Sequence, residues 1–271
     1  MMQKPFLKWA GGKSKLVPFI VENFPKPSGK RLIEPFAGSA ALSLATEFDA
    51  YVLNDINPDL IGVFRSLQQE KQSFIAYARS FFTARNNQEN RFYALRERFN
   101  QSNDTTERAA LFIYLNRHAF NGLCRYNSQG AFNVPFGRHI APCFPEAQMQ
   151  GFIAKADRFE LNCGDFQDVM TTANHDDVVY CDPPYVPLNT TSSFTAYARG
   201  GFDLEDQIRL AKEAEALQDT VQGLLISNHD TEFTRKIYQS ARLKTVAVQR
   251  NISAKGNNRK KVGELLAIFK Q

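Results

Sequence analysis

Short apolar runs bounded by turn-forming residues dominate both ends of the chain, while the stretch between them changes to a helical texture. Residues 30–36 read as a strand, Ala37-Gly38-Ser39-Ala40 as a tight turn, and residues 41–48 as a small-residue helix. Tyr51-Val52-Leu53 predicts a second strand ending on Asn54-Asp55. From about residue 60 to 120, apolar runs such as 74–78 and 109–115, separated by polar segments, predict helices. Residues 121–138 are rich in Gly, Asn and Pro and read as a projecting hairpin. Strands return at 159–163, 178–181, 224–226, 245–248 and 264–269, with a helix at 203–217. The order predicts an α/β sheet domain made of residues 1–58 and 145–271, interrupted at 59–144 by a mostly helical insertion that carries the hairpin at about 121–138.

Composition narrows this picture. A chain of 271 residues with 43% hydrophobic content can bury a large core and should fold on its own. Cys124, Cys143, Cys163 and Cys181 form no C-x-x-C pair, and the four histidines do not cluster with them, so neither a metal site nor a disulfide framework is expected. No stretch has the length of a membrane span, and the residues around Trp9 lack the apolar core of a signal peptide; a cytoplasmic protein, monomeric in solution, is the expectation.

The net charge of +5 matters for where it lies. Between Arg79 and Arg138 stand nine arginines, four acids and no lysine. A second basic stretch, 242–261, has seven cations (Arg242, Lys244, Arg250, Lys255, Arg259, Lys260 and Lys261) and no acid. Two basic surfaces suggest a polyanionic partner, and arginine pairs bidentately with guanine or phosphate where lysine does not. The competing use of the insertion arginines is as helix-surface ion pairs with Glu89, Glu97 or Glu107, more so for Arg91, Arg96 and Arg98 than for Arg125.

The densest chemistry is Asp182-Pro183-Pro184-Tyr185, directly after the apolar run Val178-Val179-Tyr180-Cys181. A strand ending there delivers a carboxylate, two proline carbonyls held in a narrow range of φ, and an aromatic face to the sheet edge, where α/β enzymes bind ligands. That set suits a planar group bearing an NH2, donating to Asp182 and to the Pro183 carbonyl while its ring stacks on Tyr185. Asp55 lies 17 positions after Gly38, a spacing that places a carboxylate on ribose hydroxyls. Gly12-Lys13-Ser14 ends like a phosphate-binding loop, but the glycine required five residues earlier is Leu7.

In order and content these motifs resemble the Dam-type DNA adenine-N6 methyltransferases. The resemblance rests on residues 6–13, on Glu34-Pro35-Phe36-Ala37-Gly38, on Asn54-Asp55-Ile56-Asn57, on 115–117 with 121–127, on 132–138, and on 180–185. It implies a Rossmann-like S-adenosylmethionine-dependent methyltransferase sheet with a target-recognition insertion, acting on double-stranded DNA. By resemblance Trp9, Lys13, Asp55 and Asp182 hold S-adenosylmethionine, Lys13 at the methionine carboxylate and Asp55 at the ribose. Phe36 and Gly38 belong to the same cofactor wall, and Asp165 and Phe166, just past a strand end, would meet the cofactor adenine. The family turn carries a second glycine near position 40, where this chain has Ser39-Ala40-Ala41, so the backbone is expected to stand farther from the methionine moiety.

The resemblance further implies GATC as target, with Lys8, Leu123, Arg125 and Pro135 near the bases and Arg125 reading a guanine through O6 and N7. Phe120, where the family often has tyrosine, would wedge into the gap left by a flipped adenine, and Asn121 would meet the orphaned thymine. Arg117, Arg138 and the 242–261 stretch are expected on phosphates, and the loop 187–199 is a candidate lid. The alternatives are methylation of another DNA site or of structured RNA, and a DNA-binding module without catalysis.

Overall fold

The computed structural model describes residues 3–26, 29–186, 201–248 and 262–271. Seven strands, β1 (Arg31–Glu34), β2 (Ala50–Asn54), β3 (Phe159–Asn162), β4 (Asp177–Cys181), β5 (Gly223–His229), β6 (Arg242–Val248) and β7 (Val262–Lys270), form one sheet in the order β3-β2-β1-β4-β5-β7-β6. The first five are parallel, and β7 runs antiparallel to both β5 and β6. The order reverses between β1 and β4, so the strand ends carrying Glu34 and Asp182 flank the switch point where such sheets bind ligands.

Ten α-helices surround it: α1 (Val17–Glu22), α2 (Ala41–Ala45), α3 (Pro58–Glu70), α4 (Gln72–Arg79), α5 (Glu89–Gln101), α6 (Thr105–His118), α7 (Glu146–Lys155), α8 (Phe166–Met170), α9 (Leu204–Leu217) and α10 (Glu232–Ile237), counted among the described residues. Alternate strand residues serve opposite faces. Leu32, Tyr51, Leu53, Val178, Tyr180 and Leu225 join one core with α3 and the insertion helices, while Ile33, Val52, Val179, Cys181, Leu224 and Ile226 pack on α8 and α9. Burial on both faces is why these strands read as unbroken apolar runs.

The insertion is wedded to the sheet through α3. Its Gln68 amide donates to the carbonyls of Ala156 and Phe159, and Arg65 donates to that of Leu161. On its other side Asp59 binds Arg108 of α6 at 2.7 Å. Phe6, Phe64 and Phe152 pack ring to ring across the same junction. The predicted helix at 41–48 stops at Ala45, because Lys155 donates to the carbonyls of Ser43, Leu44 and Thr46 and so closes the helix end early. The 121–138 hairpin forms in reduced form, with isolated bridges Ala119–Phe136 and Tyr126–Phe132. Of the basic stretch, Arg242 and Lys244 lie on β6, where Lys244 reaches Asn23 at 2.6 Å. Arg250, Lys255, Arg259, Lys260 and Lys261, like the 187–199 loop, lie outside the described residues.

Candidate active site and nucleic-acid interface

The parallel strands deliver their chemistry to one edge. Asp55 follows β2, and its two carboxylate oxygens accept from the backbone N–H of Gly38 and of Asn57, each at 3.0 Å. This couples the turn after β1 to the end of β2, and Asn54 extends the coupling by donating to the carbonyls of Pro35 and Gly164. Gly38 has φ +48°, and a Cβ there would stand 2.9 Å from Trp9 Nε1, so only glycine lets the indole close over the turn. Ala40, near the position where the family carries a second glycine, takes the left-handed conformation (φ 55°, ψ 35°) that glycine adopts without strain.

Lys13 joins the strand ends together. Its ammonium lies 3.0 Å from Asp182 Oδ1 and 4.0 Å from Glu264 Oε2, donates to the Gly11 carbonyl, and sits 4.2 Å above the Tyr185 ring. Asp182 Oδ1 is buried without an aligned hydrogen bond, although the Lys13 charge is beside it. The Tyr185 hydroxyl donates to Glu264 at 3.2 Å, and the His229 ring meets the Tyr185 ring edge-on. Burial lifts the Asp182 carboxyl to about 6 against the pull of Lys13, Asp55 likewise to about 6, and Glu34, hydrogen-bonded to Ser43, to about 7.

Farther along the edge, Phe36 stacks on Phe166 at 5.3 Å, and Phe202 meets both rings edge-on. The guanidinium of Arg209 covers Phe166 at 4.2 Å and binds both oxygens of Asp165 at 2.7 and 2.8 Å, which holds that carboxyl below its usual range. With Phe36 and Arg209 against it and 3% exposure, Phe166 presents no open face in this structure.

On the insertion side, Asn116 is fully buried and ties the N-terminal segment to the loop after α6. It accepts from the Lys8 N–H at 2.9 Å, and its amide donates to the Lys8 carbonyl at 2.7 Å and to the Gly122 carbonyl. Gly122 is at φ +65°, and a Cβ on it would collide with the Lys8 side chain. Phe120 is half exposed, its N–H held by the Pro135 carbonyl, and Asn121 beside it is exposed. Arg125 is exposed and braced by Asn133 at 2.8 Å, and Leu123 is half-buried. Arg117 departs from expectation: its half-buried guanidinium donates to the Phe6 carbonyl, so it braces the N-terminal segment and does not stand free for phosphate. Arg138 is exposed, 3.6 Å from Glu89. The surface-pair alternative holds for Arg98, bound to Glu107, whereas Arg96 reaches the Val134 carbonyl and the Tyr93 ring.

Residues 9–252 match the family of D12 class N6 adenine-specific DNA methyltransferases. The chain belongs to that family. It is 48% identical over 267 residues to the DNA adenine methylase of Escherichia coli (strain K12), covering 98% of this chain and 95% of that one. It is 46% identical over 268 residues to the DNA adenine methylase of Vibrio cholerae (98% and 96%), and 47% identical over 268 residues to that of Serratia marcescens (98% and 98%). This D12 methyltransferase is thus an enzyme that methylates N6 of adenine in DNA, by transfer from a methyl donor. No described helix is long and apolar enough to cross a membrane, and no group of side chains that could hold a metal occurs among the described residues.

The structure brings Lys13, Asp182 and Tyr185 together, and Trp9, Gly38 and Asp55 beside one another. Four contributors escaped the sequence reading: Glu264, Phe202, Gln207 and Asn228. Their signals were faint. Glu264 opens the apolar run of β7, Asn228 ends that of β5, and Gln207 interrupts the apolar face of α9.

Proposed function

We propose that S-adenosylmethionine is the methyl donor and that the acceptor is the adenine of GATC, flipped out of a DNA duplex. The meeting of Lys13, Asp182 and Tyr185 at the sheet switch point carries this reading. The residues fit the donor: a lysine ammonium for its carboxylate, the remaining lone pairs of Asp55 for its ribose, and the Trp9–Gly38 wall for close backbone approach. Ile56, 43% exposed right after Asp55, and Phe36 supply apolar surface for the donor's adenine, and Asp165, braced by Arg209, an acceptor for its amine. When bound, the donor supplies an electrophilic methyl on a sulfonium.

The N6 lone pair is delocalised into the base and weakly nucleophilic. Donation from N6 to Asp182 and to the Pro183 carbonyl favours a pyramidal nitrogen and stabilises the positive charge that grows on it. With the donor bound, its methyl would pass to N6 with the electron pair of the broken S–C bond left on sulfur, and the N6 proton would then be released to water. Asp182 thereby orients and stabilises, without first deprotonating the amine. The base stacks on Tyr185 once Lys13 leaves that ring for the donor's carboxylate. Arg125 reads a guanine, Lys8, Leu123 and Pro135 line the same bases, Phe120 fills the vacated stack, Asn121 meets the orphaned partner, and Arg138 contacts phosphate. The enzyme acts as a cytoplasmic monomer.

Incubation with methyl-labelled S-adenosylmethionine and paired duplexes, one containing GATC and one scrambled, tests the reading. Label on N6-adenine of the GATC duplex alone supports it. Equal label on both, or label only on a structured RNA, overturns the target assignment.

A further inference from the structure

Two amide side chains with no solvent exposure stand behind the Asp182–Tyr185 segment: Gln207 on α9 and Asn228 at the end of β5. The register explains why Asn228 is there. Cys181 of β4 pairs with Ile226, so β5 runs on past the end of β4, and Asn228 lies level with the prolines. The ladder that would hold a strand ends at this point, because Pro183 and Pro184 have no N–H to donate. Side chains take over. The Gln207 amide donates to the Pro184 carbonyl at 2.7 Å, and Asn228 Oδ1 accepts from the Val186 N–H at 3.2 Å. The two amides are joined, Asn228 Nδ2 donating to Gln207 Oε1 at 2.9 Å, with the buried Tyr238 hydroxyl within 3.2 Å of Asn228 and 3.4 Å of Gln207. Backbone groups on either side of Tyr185 are therefore fixed by one buried network.

The network also discriminates between two equivalent acceptors. The Pro184 carbonyl already accepts from Gln207, while that of Pro183 accepts no hydrogen bond from the described residues. We propose that Gln207 and Asn228 are positioning residues for methyl transfer: by occupying the Pro184 carbonyl and the Val186 N–H they leave the Pro183 carbonyl for the N6 amine and set the plane of Tyr185. The inference rests on the adenine-N6 reading of Asp182 to Tyr185. Its energetic basis is that a fully satisfied buried network holds one geometry, and that loss of one member leaves partners unpaired in a low-dielectric interior.

Gln207→Met removes the amide at nearly constant shape. At saturating S-adenosylmethionine and GATC duplex, its single-turnover rate of methyl transfer should fall ~10- to 100-fold, the scale of a sub-ångström misplacement, while KM for both substrates stays within about threefold. With 2-aminopurine at the target position, the fluorescence of the flipped base should rise, because a loosened Tyr185 quenches it less. Asn228→Asp keeps the acceptor for Val186 and loses the donor to Gln207; a roughly tenfold fall with unchanged KM is expected, and it carries the test alone if the first variant does not fold. A parental rate in either folded variant, or a rate that falls only in step with cofactor affinity and melting temperature, overturns the proposal. Asp182→Ala run in parallel separates the two readings: turnover retained there defeats the site itself, whereas turnover lost there but kept in Gln207→Met defeats only the positioning role.

Discussion

The sheet edge and the helical insertion, the proposed recognition unit, use similar residues in opposite settings. At the edge, Asp182, Tyr185, Lys13 and Glu264 are half-buried or buried, and each is pinned by another. On the insertion, Phe120, Asn121, Arg125 and Arg138 face solvent, with few restraints beyond Asn133 at Arg125 and Glu89 at Arg138. Chemistry needs acceptors that are in place before the reacting atom arrives, so the protein spends buried polar contacts there. Reading needs groups that a duplex can meet and desolvate, and the proposed readers stand outside the core. The charged residues that carry the insertion's basicity divide along the same line: Arg108 and Arg117 are internal braces, and Arg125 and Arg138 are external.

The sharpest way to break this division is at its buried end. Asp182→Ala should lower the methylation rate on the order of 10²–10³-fold or more, with duplex affinity in a filter-binding assay nearly unchanged; equal losses in both would dissolve the distinction. Next comes Arg125→Ala, expected to lose roughly 1–3 kcal/mol of discrimination at one guanine, read by competition between GATC and singly substituted duplexes, with the rate at saturating cognate DNA preserved. Phe120→Ala should lose about 1–3 kcal/mol of stacking, seen as a smaller 2-aminopurine signal for the flipped base. Arg98→Ala is the control: its exposed pair with Glu107 is worth roughly 0–1 kcal/mol, and neither sequence preference nor salt dependence of binding should move.

The buried end also has a pH signature. Asp55 and Asp182 hold protons in the folded protein up to about 6, and Glu34 up to about 7, where the unfolded chain has released them near 3.8 and 4.5. Through these three groups the folded state binds more protons and stability falls as pH rises from about 4 to 7, while buried His118, depressed to about 4, opposes them up to about 6.5. Glu34→Gln should flatten the upper part of that decline, measured as melting temperature between pH 5 and pH 7.5. An unchanged slope would place the decline elsewhere.

Much of this was legible in the chain. Both-face burial makes β1, β2 and β4 unbroken apolar runs, and a strand end announces itself by Asn54-Asp55 or by Asp182-Pro183-Pro184, so the sheet edge could be drawn from sequence. What stayed hidden has a common physical cause. Gln207, Asn228 and Glu264 act across sequence separations of 23, 42 and 79 residues to the Asp182–Val186 segment, and a polar residue in an apolar run does not say which backbone it will satisfy. Phe166 was legible as an edge residue, yet its covering by Phe36 and Arg209 depends on rings and charges brought together only by the fold. The bracing role of Arg117 was hidden for the same reason: its partner is a backbone carbonyl 111 residues away.

Asn116 turns these two regions into a ruler. By gripping both sides of Lys8 and the carbonyl of Gly122, it fastens the segment that bears Trp9 and Lys13 to the loop that bears Phe120 and Arg125. Whatever base step the loop recognises is then held at a set offset from the pocket at the sheet edge. On the proposed function the enzyme would measure distance along the duplex as well as identity, and an extra base pair inserted between the guanine and the adenine would carry a correctly recognised site past the place where methylation occurs.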